Sequence, residues 1–88
     1  MKTIIFSQHA LEQMPDRGAI AEEVEAAIRS GECIPAKGDR LAFRKNFSFH
    51  SQWKGRDYEV KQVMPIVVEE SDRIVVITVY VFFFGGGK

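Results

Sequence analysis

The sequence predicts an α+β domain, with two N-terminal helices packed on one face of a three- to four-stranded antiparallel sheet. Three observations predict it. Apolar residues recur at helical spacing as far as Gly31, the apolar period changes to two from residue 40 onward, and the helices come first without alternating with strands. With 88 residues the chain is too short for two cores, so residues 1–84 form one domain and Gly85-Gly86-Gly87-Lys88 a flexible tail.

Thr3 to Phe6 is either a short edge strand or a lead into the first helix. Ser7 is a candidate N-cap, its hydroxyl reaching a free backbone N–H of the next turn. The first helix then spans Gln8 to Met14, with Ala10, Leu11 and Met14 as its apolar face. Pro15 ends it, because the residue before a proline avoids the helical region, and Asp16-Arg17-Gly18 makes the turn. The second helix is the clearest element. Ile20, Val24, Ala27 and Ile28 form one buried stripe, Glu22, Glu23 and Glu25 crowd its start, Arg29 stands near its end, and Gly31 follows as C-cap. That charge order suits the helix dipole.

In the first long strand Leu41, Phe43, Phe47 and Phe49 share one face, and Ala42, Arg44, Asn46, Ser48 and His50 share the other. Lys45 interrupts the apolar set, so a bulge or an edge is expected there. Trp53-Lys54-Gly55-Arg56 is a connecting turn, and Tyr58 to Val68 a second long strand in which Pro65 marks a break or an edge. After Glu69-Glu70-Ser71-Asp72 comes a third strand, Arg73 to Phe84, apolar on both faces as a strand covered on both sides would be.

Twelve basic and twelve acidic residues cancel, so the chain lacks the basic excess usual in a nucleic-acid binder, and any phosphate site must be a local patch. A single cysteine, Cys33, excludes an internal disulfide and suits the reducing cytoplasm; it is expected to be a half-buried small hydrophobe. The apolar start Ile4-Ile5-Phe6 is too short for a signal-peptide core. The longest apolar run, Ile74 to Phe84, falls below the roughly 20 residues of a membrane helix, so no membrane is expected. No pair among His9, His50 and Cys33 has a zinc-ligand spacing, and no glycine loop precedes a helix, so neither metal nor cofactor is expected.

Two groups of residues carry chemistry. His9, one turn inside a helix, can exchange a proton near neutral pH, and Arg17 in the following turn can grip a phosphate with two parallel hydrogen bonds. The alternative is structural: His9 bonded to a strand backbone, and Arg17 bracing the turn against an acidic residue. Arg44, Asn46, Ser48 and His50 form a polar stripe able to hold a phosphodiester. Cleavage by the ribose 2′-hydroxyl needs a base, an acid and a cation, roles that His50, Tyr80 and Arg44 can fill; the alternative is a solvated outer sheet face. The aromatic row Phe43, Phe47, Phe49, Phe82, Phe83 and Phe84 can stack bases, fill a core or meet a second subunit.

The opening Ser7-x-His9-Ala10-x-x-x-Met14-x-x-Arg17-Gly18, with Val24 and Gly31 after it, resembles a family of small bacterial domains of unknown function. Those domains open with S-x-H-A-x-x-R-M-x-x-R-G-I and end in a strand of the I-V-V-I-T-V-Y kind, here Ile74 to Tyr80. In layout the family is similar to the RelE and BrnT type toxins of bacterial toxin–antitoxin pairs, which cleave RNA without metal. The resemblance implies a RelE-like fold and a metal-independent endoribonuclease. His9, His50 and Tyr80 become the catalytic candidates and Arg17 and Arg44 the phosphate-binding ones, with RNA and an antitoxin protein as partners. Gln13 stands where the family has arginine, removing one cation, and Ala19-Ile20 replaces the apolar residue and capping serine or threonine that precede the second helix. The competing reading is a non-catalytic binding module that pairs with a protein or with itself through its aromatic last strand.

Overall fold

The computed structural model describes residues 2–86. Strand β1 (Thr3–Phe6) leads into helices α1 (Gln8–Arg17) and α2 (Ala21–Ser30), followed by β2 (Glu32–Pro35), β3 (Arg40–Trp53), β4 (Arg56–Glu69) and β5 (Arg73–Phe84). The five strands lie in the order β1-β5-β4-β3-β2. The α+β class with both helices on one sheet face holds, but the sheet has more strands than expected and is mixed. The added strands are short ones at the edges, β1 running parallel to β5 and β2 antiparallel to β3. Of the two readings of Thr3–Phe6 the edge strand holds, while β2 is unforeseen, because four residues display no period. Cys33, expected to be half-buried, is exposed on the edge strand β2.

Helix α1 begins as expected, with the Ser7 hydroxyl accepting from Ala10 N–H at 3.0 Å. It does not stop at Pro15. The helix runs to Arg17 with Pro15 inside it, and Gly18, at φ 81°, closes it. Gly18 N–H bonds Pro15 O at 3.3 Å and Ala19 N–H bonds Met14 O at 2.9 Å, the paired bonds of a glycine-terminated helix. Proline costs only one helical bond this near the end, and the following turn supplies replacements. Helix α2 starts at Ile20, which has no side-chain oxygen; the Glu23 carboxylate instead accepts Ile20 N–H at 3.2 Å. At its far end Gly31 permits a close approach: a Cβ there would lie 2.5 Å from Ala27 O and 2.6 Å from Arg44 O.

The β3–β4 turn places Lys54 and Gly55 at φ 51° and 83°, the two positive values that a tight two-residue hairpin requires. The bulge does not fall at Lys45, whose ammonium lies 6.0 Å over the Phe47 ring. It falls between Ser48 and Ser51, where Phe49 and His50 oppose one residue of β4 and His50 takes φ 45°. A second irregularity makes Ile77 the extra residue of β5. Pro65 lies inside β4 and is fully buried. The β3–β4 pairing skips it, resuming at Lys45 opposite Val63, as a residue without an N–H demands.

The core lies between helices and sheet: Ala10, Met14, Ala19, Val24 and Ile28 meet Val63, Val67, Val76 and Val79. Beyond it, Phe83 stacks on Trp53 at 5.2 Å and meets Phe49 and Tyr58 at 5.2 and 5.5 Å. The opposite sheet face carries no second layer among the described residues. There β5 departs from its expected double cover, leaving Tyr80, Phe82 and Phe84 42%, 46% and 42% exposed. Of the expected tail, Gly85 and Gly86 lie against Glu59; Gly87 and Lys88 are outside the described residues. No helix among those residues is long and apolar enough to cross a membrane.

Candidate functional site

Helix α1 lies along the edge of β5 that β1 leaves free, and its side chains close that edge. Ser7 donates its backbone N–H to Val76 O at 2.9 Å and its hydroxyl to Ile77 O at 3.0 Å. One helical turn after His9, the Gln13 side-chain oxygen accepts Val79 N–H at 3.1 Å and also the Thr78 hydroxyl. A turn later Arg17 Nη1 donates to Val79 O at 2.8 Å. Both main-chain groups of Val79 are thereby satisfied by side chains of one helix.

The same contact carries Arg17 around the edge to the uncovered face, where its guanidinium stands 5.2 Å from the centroid of the Tyr80 ring. One nitrogen is spent on Val79; the rest of the planar fork keeps its donors. His9 is exposed on the α1 stripe that holds Gln13 and Arg17, since residues four apart share a helix face. Tyr80 pairs with Met64 across β4–β5, and the β3–β4 register continues that row to Arg44. Arg44 is exposed and holds Glu32 at 2.7 Å. Arg17, Tyr80 and Arg44 thus stand in one row across the uncovered face, with the arginines at its two ends.

His50 stands outside that row. It lies six residues beyond Arg44 on β3, about 20 Å along the strand, and within the bulge itself. Asn46 and Ser48 continue the polar stripe from Arg44, with Asn46 bonded to Gln62 at 2.9 Å. The bulge interrupts a period-two alternation that the sequence reads straight through.

For three further residues the structural role escapes sequence reasoning. Gln13 reads as a lost cation, yet it supplies the acceptor that Val79 N–H requires. Thr78 reads as an interruption of an apolar strand, yet it bonds Gln13. Lys61 is buried on the helix face, its ammonium 2.7 Å from the Glu23 carboxylate and 2.9 Å from Gly18 O, and 5.3 Å over the Phe49 ring. A lysine at an inward position of β4 is the one available signal, because buried ammonium groups are almost always paired.

The aromatic row divides between these surfaces. Phe43 and Phe47 pack on the core, Phe49 and Phe83 join the Trp53 cluster, and Phe82 and Phe84 flank Tyr80 on the uncovered face. The face can therefore offer cations for phosphate and aromatic rings for bases, while the exposed His9 stands two turns of α1, about 12 Å, before Arg17. Among the described residues no three metal-ligating side chains gather.

Comparison with curated proteins and with solved structures returns no match. A family model covers residues 6–81, from the end of β1 to Val81, and so includes His9, Arg17, Arg44 and Tyr80. The chain belongs to the family described as domain of unknown function DUF4258.

Proposed function

We propose that this domain is a RelE/BrnT-like endoribonuclease that binds single-stranded RNA on the uncovered sheet face and cleaves it without metal. The observation that carries this reading is the Arg17 guanidinium, held on Val79 O and stacked over Tyr80 at the margin of an exposed aromatic face. In the proposed reaction His9 takes the proton of the ribose 2′-hydroxyl and that oxygen attacks the adjacent phosphorus. The bond to the 5′-oxygen breaks, leaving a 2′,3′-cyclic phosphate, and Tyr80 protonates the departing oxygen. Arg17 faces the charge that develops on the phosphorane, Arg44 holds a neighbouring phosphate, and Phe82 and Phe84 stack bases. His50 takes no part, given its distance along β3. The resemblance to toxin–antitoxin pairs adds an antitoxin protein as the inhibitor and the cytoplasm as the setting.

Purified chain incubated with single-stranded RNA in EDTA tests the proposal. Cleavage to cyclic-phosphate ends is expected, falling about 100-fold or more in His9→Ala and staying unchanged in His50→Ala. Intact RNA with the wild-type chain, or equal rates for wild type and His9→Ala, would overturn it. A second reading, a non-catalytic binding module, is favoured by the exposed Tyr80, Phe82 and Phe84. It predicts RNA-independent association and no cleavage.

A further inference from the structure

We infer that two copies of this chain join through the far half of β5, merging two five-stranded sheets into one. This inference is independent of the RNA reading. Strand β1 covers β5 only from Arg73 to Val76. The α1 side chains then bond that edge as far as Val79, and past it the end of α1 turns onto the helix face of the sheet, where Gly18 lies against Phe83 and Trp53. No strand among the described residues pairs with the remaining edge.

The pattern of that edge is specific. Val79 turns both its N–H and its C=O outward, to Gln13 and Arg17. Main-chain groups alternate along a strand, so Val81 and Phe83 are the next outward-facing residues, while Tyr80, Phe82 and Phe84 bond inward toward Met64, Gln62 and Val60. Two outward residues placed symmetrically about Phe82 match an antiparallel copy of themselves. A two-fold axis at Phe82 sets Val81 opposite Phe83 of the second copy and creates about four main-chain hydrogen bonds.

The side chains fit the same axis. Phe82 faces its own counterpart and Tyr80 faces Phe84, so the exposed rings of both copies form one row. Val79, already occupied by α1, falls opposite Gly85, where β5 has ended at Phe84. The edge contacts of each α1 therefore fall beyond the end of the other copy's strand. A formal net charge of +0 leaves no overall repulsion between copies.

Sedimentation of the full chain tests this. The wild type is expected at the mass of two chains, and Val81→Pro at 10.0 kDa, because an edge proline removes an outward N–H without touching the β4–β5 ladder. A second variant probes the register: Phe82→Cys, in a chain also carrying Cys33→Ser, should oxidise to a covalent dimer, since residues paired across the axis approach within disulfide reach. If Val81→Pro does not fold, this cross-link decides alone. A wild type of 10.0 kDa at every concentration overturns the inference. So does failure of residue 82 to cross-link, which would place any dimer contact, or an unrelated partner, elsewhere.

Discussion

Gln13 shows how one residue can carry two opposite readings. Against the opening pattern of the family it is a missing cation; in the fold it is the acceptor that closes the Val79 edge. An arginine has donors only and cannot accept Val79 N–H, so substitution toward the family pattern removes a contact while adding a charge. We predict that Gln13→Arg and Gln13→Ala each lose about 1 kcal/mol of stability in urea denaturation, while Gln13→Glu, which keeps an acceptor oxygen at this position, stays near wild type. Equal stability for all four chains would show that the contact is dispensable. Arg17 is comparable. The sequence suggests a brace against an acidic residue as its structural role, whereas the partner is a strand carbonyl, which no sequence pattern marks. Sequence reasoning picked out both Arg17 and Gln13 but could not assign their partners, because those lie on the last strand.

The elements legible in the sequence are those long enough to show a period. Helix α2 and strands β3 to β5 fall where the apolar spacing places them, β1 is one of the two readings its segment allows, and β2 is too short to declare itself. Pro15 misleads because its penalty depends on position, and a glycine three residues later rescues the helix end. Two element-level contacts decide how α2 sits on the sheet. Gly31→Ala would drive a Cβ onto the carbonyl oxygens of Ala27 and Arg44, both backbone, so a loss of about 1–3 kcal/mol is expected, read as a lower Tm. An unchanged Tm would mean that α2 can lift from β3 without penalty. At its other end α2 is tied to β4 through Lys61 and Glu23, whose side chains are only 10% and 16% exposed. Removing one partner strands the other, so Lys61→Met and Glu23→Gln should each destabilise the fold, and the double variant should cost about 1–3 kcal/mol less than their sum. Additive effects would remove the pair from the account of α2 docking.

At the scale of the whole molecule, balanced charge constrains how an RNA ligand could be held. A fold with twelve cations and twelve anions offers no broad positive field, Arg29 and Arg73 are spent on Glu25 and Glu70, and Arg44 has to exchange its exposed Glu32 partner for a phosphate. On the uncovered face the row offers two guanidinium groups, Arg17 and Arg44, against three exposed rings, Tyr80, Phe82 and Phe84. Base stacking, worth about 1–3 kcal/mol per base, therefore outweighs phosphate contact in any single-strand complex here. Single-stranded ligands lose affinity with salt at a logarithmic slope of about −0.7 per neutralised phosphate, so two contacts predict a slope of about −1.4. A fluorescence titration of short RNA across salt concentrations measures it directly. Phe82→Ala should weaken binding without changing the slope, whereas Arg44→Ala should flatten the slope by about half. The opposite pattern, a steep slope insensitive to Arg44→Ala, would locate the phosphate contacts on some other surface and detach the aromatic face from RNA altogether.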